Sequence, residues 1–600
     1  MHVLVAVKQV PRSESLALGS SGRLERTGVP LEMSAYCRRA LAKGIELAQV
    51  SAGRCTVVSL GPPSATAILR DALACGADEA ILLSDPAFAG SDTLVTARAL
   101  AALVATLAPV DLVLVGRASL DAETGQVGPQ LAELLDLPFA GAVRSLDLDA
   151  SSHRVEVRCE HDDGGAQLVV ALPAVLALAE RSCSPAKADP MIAASIPPER
   201  VLRRSANDLP SNGPWGEEGS PTRVEALVPV ASDRAHLVHR GPLTEQVDAA
   251  LRLLGEPTAR PLASRRSEAA LREHRNPDAD APAVAVVLET GRPRLASELL
   301  GAAARLAGEL DGPVTALTCE HETASGLWSL GADAAVELHG SAIEEDIART
   351  IAHWASRTAP TILLFPATSF GREVSARVAT RLDAGLIADA LDLEIVAGRL
   401  CCAKAACAGG VTASITSRSP IQIATVRPGV LACPPPRPGS RAIPLTRLDV
   451  ASRHRVEVRE RWRDDDVELL ERAETVIGIG LGVSPEEYAD VRELAAALGA
   501  ELGATRKVTD RFWLPRARQI GITGRNIAPR LYVALGISGS PNHLAGVRRA
   551  GTILAVNTDP DAPIFNHCDI GIVGDWREVA RRLREQLGES ETAVELAPLA

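Results

Sequence analysis

Short apolar, β-branched runs alternate with alanine-rich amphipathic segments along the first third of the chain. The order is VLVAV at 3–7, RRALAKGIELAQV, CTVVSL at 55–60, SATAILRDALACG, AILLS and DLVLVG at 111–116. Runs of this length with helical segments between them predict a parallel sheet with crossover helices. Near residue 200 the pattern breaks up: 203–222 and 255–282 are rich in Pro, Ser, Arg, Glu and Asp and read as excursion and linker. It then restarts with VAVVLE at 284, an alanine-rich helix, VTALTCE, GADAAVELHG and TILLFP at 361.

The restart repeats content as well as style. GADEAILLSD (76–85) is echoed by GADAAVELHG (331–340), and DLVLVGRASLDAETGQVGPQLAELLDLPFAGAV by TILLFPATSFGREVSARVATRLDAGLIADAL. Each longer copy is a strand, a small-residue turn containing Ser119 or Ser369, an amphipathic helix and a small-residue return. Two copies of one fold are the economical reading. A third unit follows the Pro-rich crossing PPPRPGS: TVIGIGLGV, a helix from about Pro485, ARQIGITG, LYVALGISGS, TILAVNTD and DIGIVGD. The predicted architecture is α/β, with two related parallel-sheet nucleotide-binding-type domains (1–254 and 283–452, joined by a linker at 255–282) and a doubly wound domain at 470–600.

Composition narrows the function. A net charge of -12 over 600 residues, with no long basic block, argues against nucleic acid as the main partner. No apolar run approaches ~18 residues, so a membrane-embedded chain is not expected, and MHVLVAVKQVP reads as a first strand rather than a leader. Eleven cysteines without a CxxC pair fit reduced thiols in a cytoplasm. Cys401, Cys402 and Cys407 cluster without a nearby histidine and read as small buried hydrophobes.

Candidate chemistry collects in the third unit, whose strands are expected to end in the turns GIGLG (478–482), GITG (521–524), GISGS (536–540), NTD (557–559) and GD (574–575). In an open parallel sheet such turns share the carboxyl edge, where ligands bind, and small residues let backbone N–H groups approach a diphosphate. Thr523, Ser538, Asn557 and Asp575 would anchor a dinucleotide, while His543, protonated or hydrogen-bonding, would face its ring. Asp575 also reads as the N-cap of WREVARRLREQL, and Thr124 of TGQ as a plain helix cap.

QIGITGRNIAPRLYVALGISGSPNHLAG and ILAVNTDPDAPIFNHCDIGIVGD closely resemble the flavin domain of the electron transfer flavoprotein alpha subunit, and PATSFGREVSARVATRLDAGLIAD with IATVRPGVL resembles its amino-terminal domain. VLVAVKQVP, CGADEAILLSD, GRASLDAETGQVGPQLAELL and GSPTRV resemble the beta subunit, so the chain looks like a beta-alpha fusion. The resemblance implies FAD in the third unit, held by Arg506, Gln519, Ile520, Gly521, Thr523, Gly524, Ser538, Gly539, His543, Asn557 and Asp575. It implies AMP or a second FAD in the first half, at Ala6, Asp121, Thr124, Gly125 and Gln126. No catalytic or metal-ligating residue is assigned. The implied role is electron carrier rather than enzyme, with a flavin or other dehydrogenase as donor and a quinone oxidoreductase or other redox protein as acceptor. The crossing at 433–470 is the expected hinge for a swinging flavin domain.

The chain departs from the family at Leu481, where an arginine is usual, and at Ile522, where a glutamine is. Loss of a cation hydrogen-bonded to a developing anion removes about 1.5–3 kcal/mol of stabilisation, which should lower the flavin's first one-electron potential. SAYC at 34–37 replaces a family NPxD segment, and RSCSPAKADPMIAA lacks the family's leucine anchor for acyl-CoA dehydrogenases. GSDTLVTA at 90–97 resembles the DTxxT pattern of electron-bifurcating relatives, whose second FAD takes hydride from NADH; the default for Thr93 and Thr96 is helix capping. Bifurcation and a non-redox nucleotide-binding protein are the two rival readings.

Overall fold

Continuous apolar strands dictate the layers. His2–Ala6, Ile362–Pro366 and Leu531–Leu535 are buried along nearly their whole length, and strands apolar on both faces belong in parallel sheets covered by helices on both sides. The computed structural model describes all residues except 13–16, 19–23, 26–27, 120, 150–152, 212, 230–233, 256–270, 272–282, 320–323, 407–409, 464–467, 522 and 590–600. The linker expected at 255–282 therefore lies almost wholly outside the described residues, as do Cys407 and Ile522.

The first sheet runs Val201–Arg204, Glu79–Leu83, Arg54–Leu60, His2–Ala6, Leu112–Gly116, Ala174–Leu178, Phe139–Asp149, Arg154–Glu160, Gly164–Ala171 and Val456–Arg463. The second runs Leu445–Val450, Ala334–Gly340, Val314–Thr318, Val284–Val287, Ile362–Pro366, Gln422–Val426, Leu386–Val396, Arg399–Ala406, Val411–Ser417 and Thr222–Pro229. The two are the same arrangement: seven parallel strands, then an antiparallel meander. The last strand of each sheet comes from elsewhere in the chain, Val456–Arg463 pairing with Gly164–Ala171 and Thr222–Pro229 with Val411–Ser417. This exchange stitches the halves together, and helices Val127–Leu134 and Ser369–Arg381 face each other between them. Arg377, 1% exposed, lies in that seam and pairs with Glu133 at 3.0 Å and Glu373 at 3.2 Å.

The third sheet is wholly parallel: Leu237–His239, Ile570–Val573, Thr552–Asn557, Leu531–Leu535, Thr475–Ile479 and Glu501–Ala504. Its strands after residue 470 have the order 2-1-3-4-5 of a doubly wound fold. Leu237–His239 and helix Leu243–Gly255 extend it from the far end of the first half, and Val247 and Ala250 of that helix are buried in its core.

Two expectations need correction. Among the described residues ARQIGITG holds no strand; Glu501–Ala504 is the edge strand, and Gln519 meets it by an isolated bridge at Ala504. The chain is instead turned there by the 3-10 turn Arg516–Arg518 and by Gly521 at φ 137°. The crossing at 433–470 is anchored, because it contains Leu445–Val450 and Val456–Arg463, and Arg453 and Arg455 bind Asp136 and Glu345, each at 3.0 Å. Cys401 and Cys402 are buried. Among the described residues no helix is long and apolar enough to cross a membrane.

Candidate functional site

The strand order of the third sheet reverses between Thr475–Ile479 and Leu531–Leu535, and the turns that follow these two strands sit together. Their glycines serve that approach: a Cβ on Gly480 would lie 2.1 Å from the Gly536 carbonyl oxygen, and the Gly482 N–H donates to the same oxygen at 3.2 Å. Beyond Gly536 the chain leads into helix Pro541–Val547. Among the described residues the N–H groups of Ser538, Gly539 and Ser540 have no acceptor, Ser538 is exposed, and Gly539 takes φ 91°. Successive N–H groups without acceptors just before helix Pro541–Val547 are the kind of donors from which anion seats are built. That is the donor set a diphosphate requires, so the residues fit the implied FAD.

His543, in that helix, is 3% exposed, and both ring nitrogens are engaged, by the Tyr532 hydroxyl at 2.8 Å and the Ile520 carbonyl at 3.1 Å. Burial pushes its pKa down to about 4, partly offset by the Ile520 carbonyl. Of the two forms considered from the sequence, neutral pH therefore leaves the uncharged ring. Gly478 makes room for this pair, since a Cβ there would lie 1.7 Å from the Tyr532 hydroxyl. Gln519 is buried and braces the loop, accepting from Thr509 at 2.8 Å and donating to Thr523 at 2.9 Å. Gly521 and Gly524 shape the same loop, the Gly524 N–H donating to the Gly521 carbonyl at 2.9 Å. Asn557 ties two turns together through the Ile537 carbonyl and the Asp559 N–H, both at 2.9 Å. Asp575 caps its helix by accepting from the Arg577 N–H at 2.9 Å, and its carboxylate also pairs with the Arg577 side chain. Arg506 pairs with Asp510 at 3.2 Å. Leu481 is 36% exposed.

In the first half Ala6 ends its strand, and Lys8 holds Asp121 at 2.8 Å. Burial would raise the Asp121 carboxyl, but Lys8 and the Ser119 hydroxyl hold it below the usual range. Among the described residues the N–H groups of Thr124, Gly125 and Gln126 have no acceptor. The Gln126 side chain faces away from such a role, being 2% exposed and bound to the Thr93 hydroxyl at 2.6 Å and the Leu386 carbonyl at 3.2 Å. In GSDTLVTA the cap is Asp92, not Thr93; its carboxylate accepts from Leu94 and Val95 and also from the Thr222 hydroxyl at 2.8 Å, so this motif meets GSPTRV.

A cavity joins the three sheets. Arg117, Thr124, Gly125, Asp162 and Glu180 line it from the first, Ser369, Arg372, Asp389 and Arg427 from the second, and Thr523, Gly524 and Arg525 from the third unit. Sequence reasoning singled out Thr124, Gly125, Thr523 and Gly524 of this lining and named Ser369 as a turn residue, but missed the charged groups. They lie in a hairpin, next to strand ends, inside strand Leu386–Val396 and in the first turn of helix Ser369–Arg381, where single charges read as ordinary surface. Glu180 accepts from the Tyr36 hydroxyl at 3.0 Å; burial would raise its carboxyl, but Arg117, Arg516 and Arg506 hold it well below the usual range. Glu123, at φ 49°, is pushed up to about 7 by burial despite Arg427 and Lys404.

Comparison with known proteins agrees with this geometry. The electron transfer flavoprotein domain matches twice, at 21–201 and 284–453, and the electron transfer flavoprotein FAD-binding domain matches 469–548. The electron transfer flavoprotein subunit alpha of Thermoanaerobacterium thermosaccharolyticum is 35% identical over 309 residues, covering 49% of this chain and 93% of that protein. Protein FixB of Bradyrhizobium diazoefficiens is 36% identical over 310 residues, covering 49% of this chain and 84% of its own length. The alpha subunit of Clostridium acetobutylicum is 33% identical over 313 residues, with 49% and 92% covered. The chain belongs to the electron transfer flavoprotein family.

Proposed function

We propose that this chain is a beta-alpha fusion that takes electrons from a flavin or other dehydrogenase and passes them to a quinone oxidoreductase or another redox protein. The observation that carries the reading is the seat of unpaired N–H groups at Ser538, Gly539 and Ser540, at the reversal point of a 2-1-3-4-5 sheet and within the segment matched by the FAD-binding domain. Bound FAD would supply the one-electron chemistry. The protein's own part is to bind and orient. Ser538 to Ser540 hold the diphosphate and Thr523 on its braced loop faces the ring, while Arg506, Asn557 and Asp575 serve the remainder; His543, against the expectation that it faces the ring, and Gln519 are buried with their polar atoms bound within the protein and position these loops instead. Ile520 and Gly521 place that loop against the histidine helix. The double match of the family domain supports the beta-like identity of the first half. There Thr124, Gly125 and Gln126 would seat the phosphate of AMP or of a second FAD through their backbone, with Ala6 and Asp121 beside them.

The test is nucleotide content: record the visible spectrum of the purified chain, denature it, and quantify released FAD and AMP. One FAD and one AMP per chain is the expected result. Two FAD, with NADH oxidised without a partner, would replace the reading by electron bifurcation. A chain that takes up no flavin when incubated with FAD would overturn it in favour of a non-redox nucleotide-binding protein.

A further inference from the structure

Strand Gln422–Val426 of the second sheet runs into a turn against which the third unit packs. Gly429 of that turn takes φ 74°, and a Cβ on it would lie 2.7 Å from the Asn526 carbonyl oxygen and 3.5 Å from Glu471 Cγ. Glu471 belongs to the short helix Leu469–Arg472, which leads into strand Thr475–Ile479. From the second half, Glu298 of helix Pro293–Leu310 accepts from the Gly429 N–H at 2.9 Å. One glycine thus brings together two carboxylates, one from each side of the joint. The Glu298 side chain is 1% exposed and that of Glu471 3%, and Oε1 of each has no hydrogen-bond partner among the described residues. Their cations are offset: Arg294 Nε stands 3.4 Å from Glu298 Oε1, and Arg525 Nη1 3.6 Å from Glu471 Oε1. The other charged or titratable groups around the pair are Glu468 and Arg292 beside Glu471, and Arg549 and the Cys433 thiol beside Glu298. Neighbouring carboxylates taken out of water ionise together only at a large cost. Burial and Glu471 accordingly push the Glu298 carboxyl up to about 8, against Arg294 and the Gly429 N–H.

We propose that the joint at Gly429 closes with one proton held by the Glu298–Glu471 pair and loosens when that proton leaves, so that pH sets how firmly the third unit sits on the second sheet. In the loosened joint both carboxylates are solvated and ionised, so closing takes one proton from solvent and opening returns it. The proton is bound more tightly closed than open, which favours the closed joint at low pH. That preference is lost as pH rises from the ordinary carboxyl value of 4.5 towards about 8, by up to about tenfold per pH unit. Arg525 and Asn526 directly follow Thr523 and Gly524, so the loop of the candidate site moves with the joint. The inference does not depend on the flavin reading.

The test is amide exchange of the full chain as purified, followed from about pH 6 to about pH 8, with rates corrected for the base catalysis of exchange itself. Segments 427–433 and 468–474 report on the joint, and strand His2–Ala6 on the fold as a whole. In the unaltered chain, opening of the joint segments should rise roughly hundredfold over this range while the strand stays unchanged. Glu298→Gln and Glu471→Gln each replace a carboxyl by a neutral group of the same shape, which leaves the other acid to its own arginine. Each variant should therefore keep at every pH the protection that the unaltered chain has near pH 6, and either one decides the matter if the other fails to fold. An unaltered joint whose corrected opening does not change with pH would overturn the proposal. So would a pH dependence that survives in either folded variant, or a variant that is open at every pH, because the joint would then need the charges and not the proton.

Discussion

His543 shows how far a single residue's chemistry is set by its surroundings. Its ring is uncharged because folding removes it from water, and its orientation is fixed because the Tyr532 hydroxyl and the Ile520 carbonyl hold opposite nitrogens. Tyr532→Phe should leave a buried ring nitrogen unpaired and cost about 1–3 kcal/mol, measured by denaturant unfolding at pH 7. The depressed pKa also fixes a pH dependence. Between the unfolded value of 6.5 and the folded value of about 4, the unfolded chain binds a proton that the folded chain refuses. Stability is therefore full above that window and falls as pH drops through it, by roughly 2 kcal/mol between pH 7 and 5. Carboxylates titrate nearby in pH, so the readout is a difference: His543→Gln should lose less stability than the unaltered chain over this interval. Equal losses would place the proton elsewhere.

At the scale of elements, Asp92 does two jobs with one carboxylate. One oxygen caps helix Thr93–Val104, and the other accepts from the N–H and hydroxyl of Thr222 at the start of the exchanged strand Thr222–Pro229. A cap alone is worth about 1 kcal/mol, and each further hydrogen bond about 1 kcal/mol. Asp92→Ala should thus cost about 2–3 kcal/mol and raise amide exchange in Thr222–Pro229 as well as in the helix; a loss confined to the helix would mean the strand is held by its sheet alone. This double role explains what the sequence disclosed. The parallel strands were legible because apolar runs of five to seven residues between helical segments have few other homes, and the repeat was legible because the same small-residue turns recur in the same order. Strand exchange was not. Val224 and Val228 are exposed in an edge strand that would look the same on either sheet, and nothing local says which sheet it joins. ARQIGITG misled for a different reason: Ile520 and Gly521 sit in a loop braced by Gln519 through Thr509 and Thr523 and by the His543 ring on the Ile520 carbonyl, contacts that an apolar run does not disclose. Asp162 lies in HDDGG, which reads as a solvated hairpin turn until the other half of the chain is brought against it.

For the whole molecule, the question is how a third sheet that must meet redox partners is held against the other two. The exchanged strand Val456–Arg463 ties most of the crossing into the first sheet, so the crossing as a whole is not a free link. The docking contacts are concentrated. Glu160 of the first sheet gathers Arg181 at 2.9 Å, Arg144 at 3.8 Å and, from the third unit, Arg516 at 2.9 Å. Arg144 and Arg181 also flank the ring of Phe512 from the third unit, 5.5 and 5.4 Å from its centroid. Glu160 is thus the anion common to all three guanidinium groups, with Glu180 a second partner of Arg516 at 3.9 Å. Without it they repel one another, and because the seam is partly buried, dissolved salt screens them only weakly. Glu160→Gln should therefore loosen the third sheet from the first while leaving both folded. Amide exchange should rise at least about tenfold in the docking segment 505–519, equivalent to about 1.4 kcal/mol of lost protection. Exchange in the core strands Leu531–Leu535 and His2–Ala6, and the flavin content, should stay as they were. If Glu160→Gln leaves the docking segment as protected as before, the remaining contacts hold the third sheet, among them Phe512, Arg181 on the Thr509 carbonyl at 3.3 Å and Arg549 on the Leu391 carbonyl at 2.8 Å, and the Glu160 ion pairs are incidental. If instead the core strands loosen together with the seam, the three sheets unfold as one unit and a swing of the third sheet would require partial unfolding.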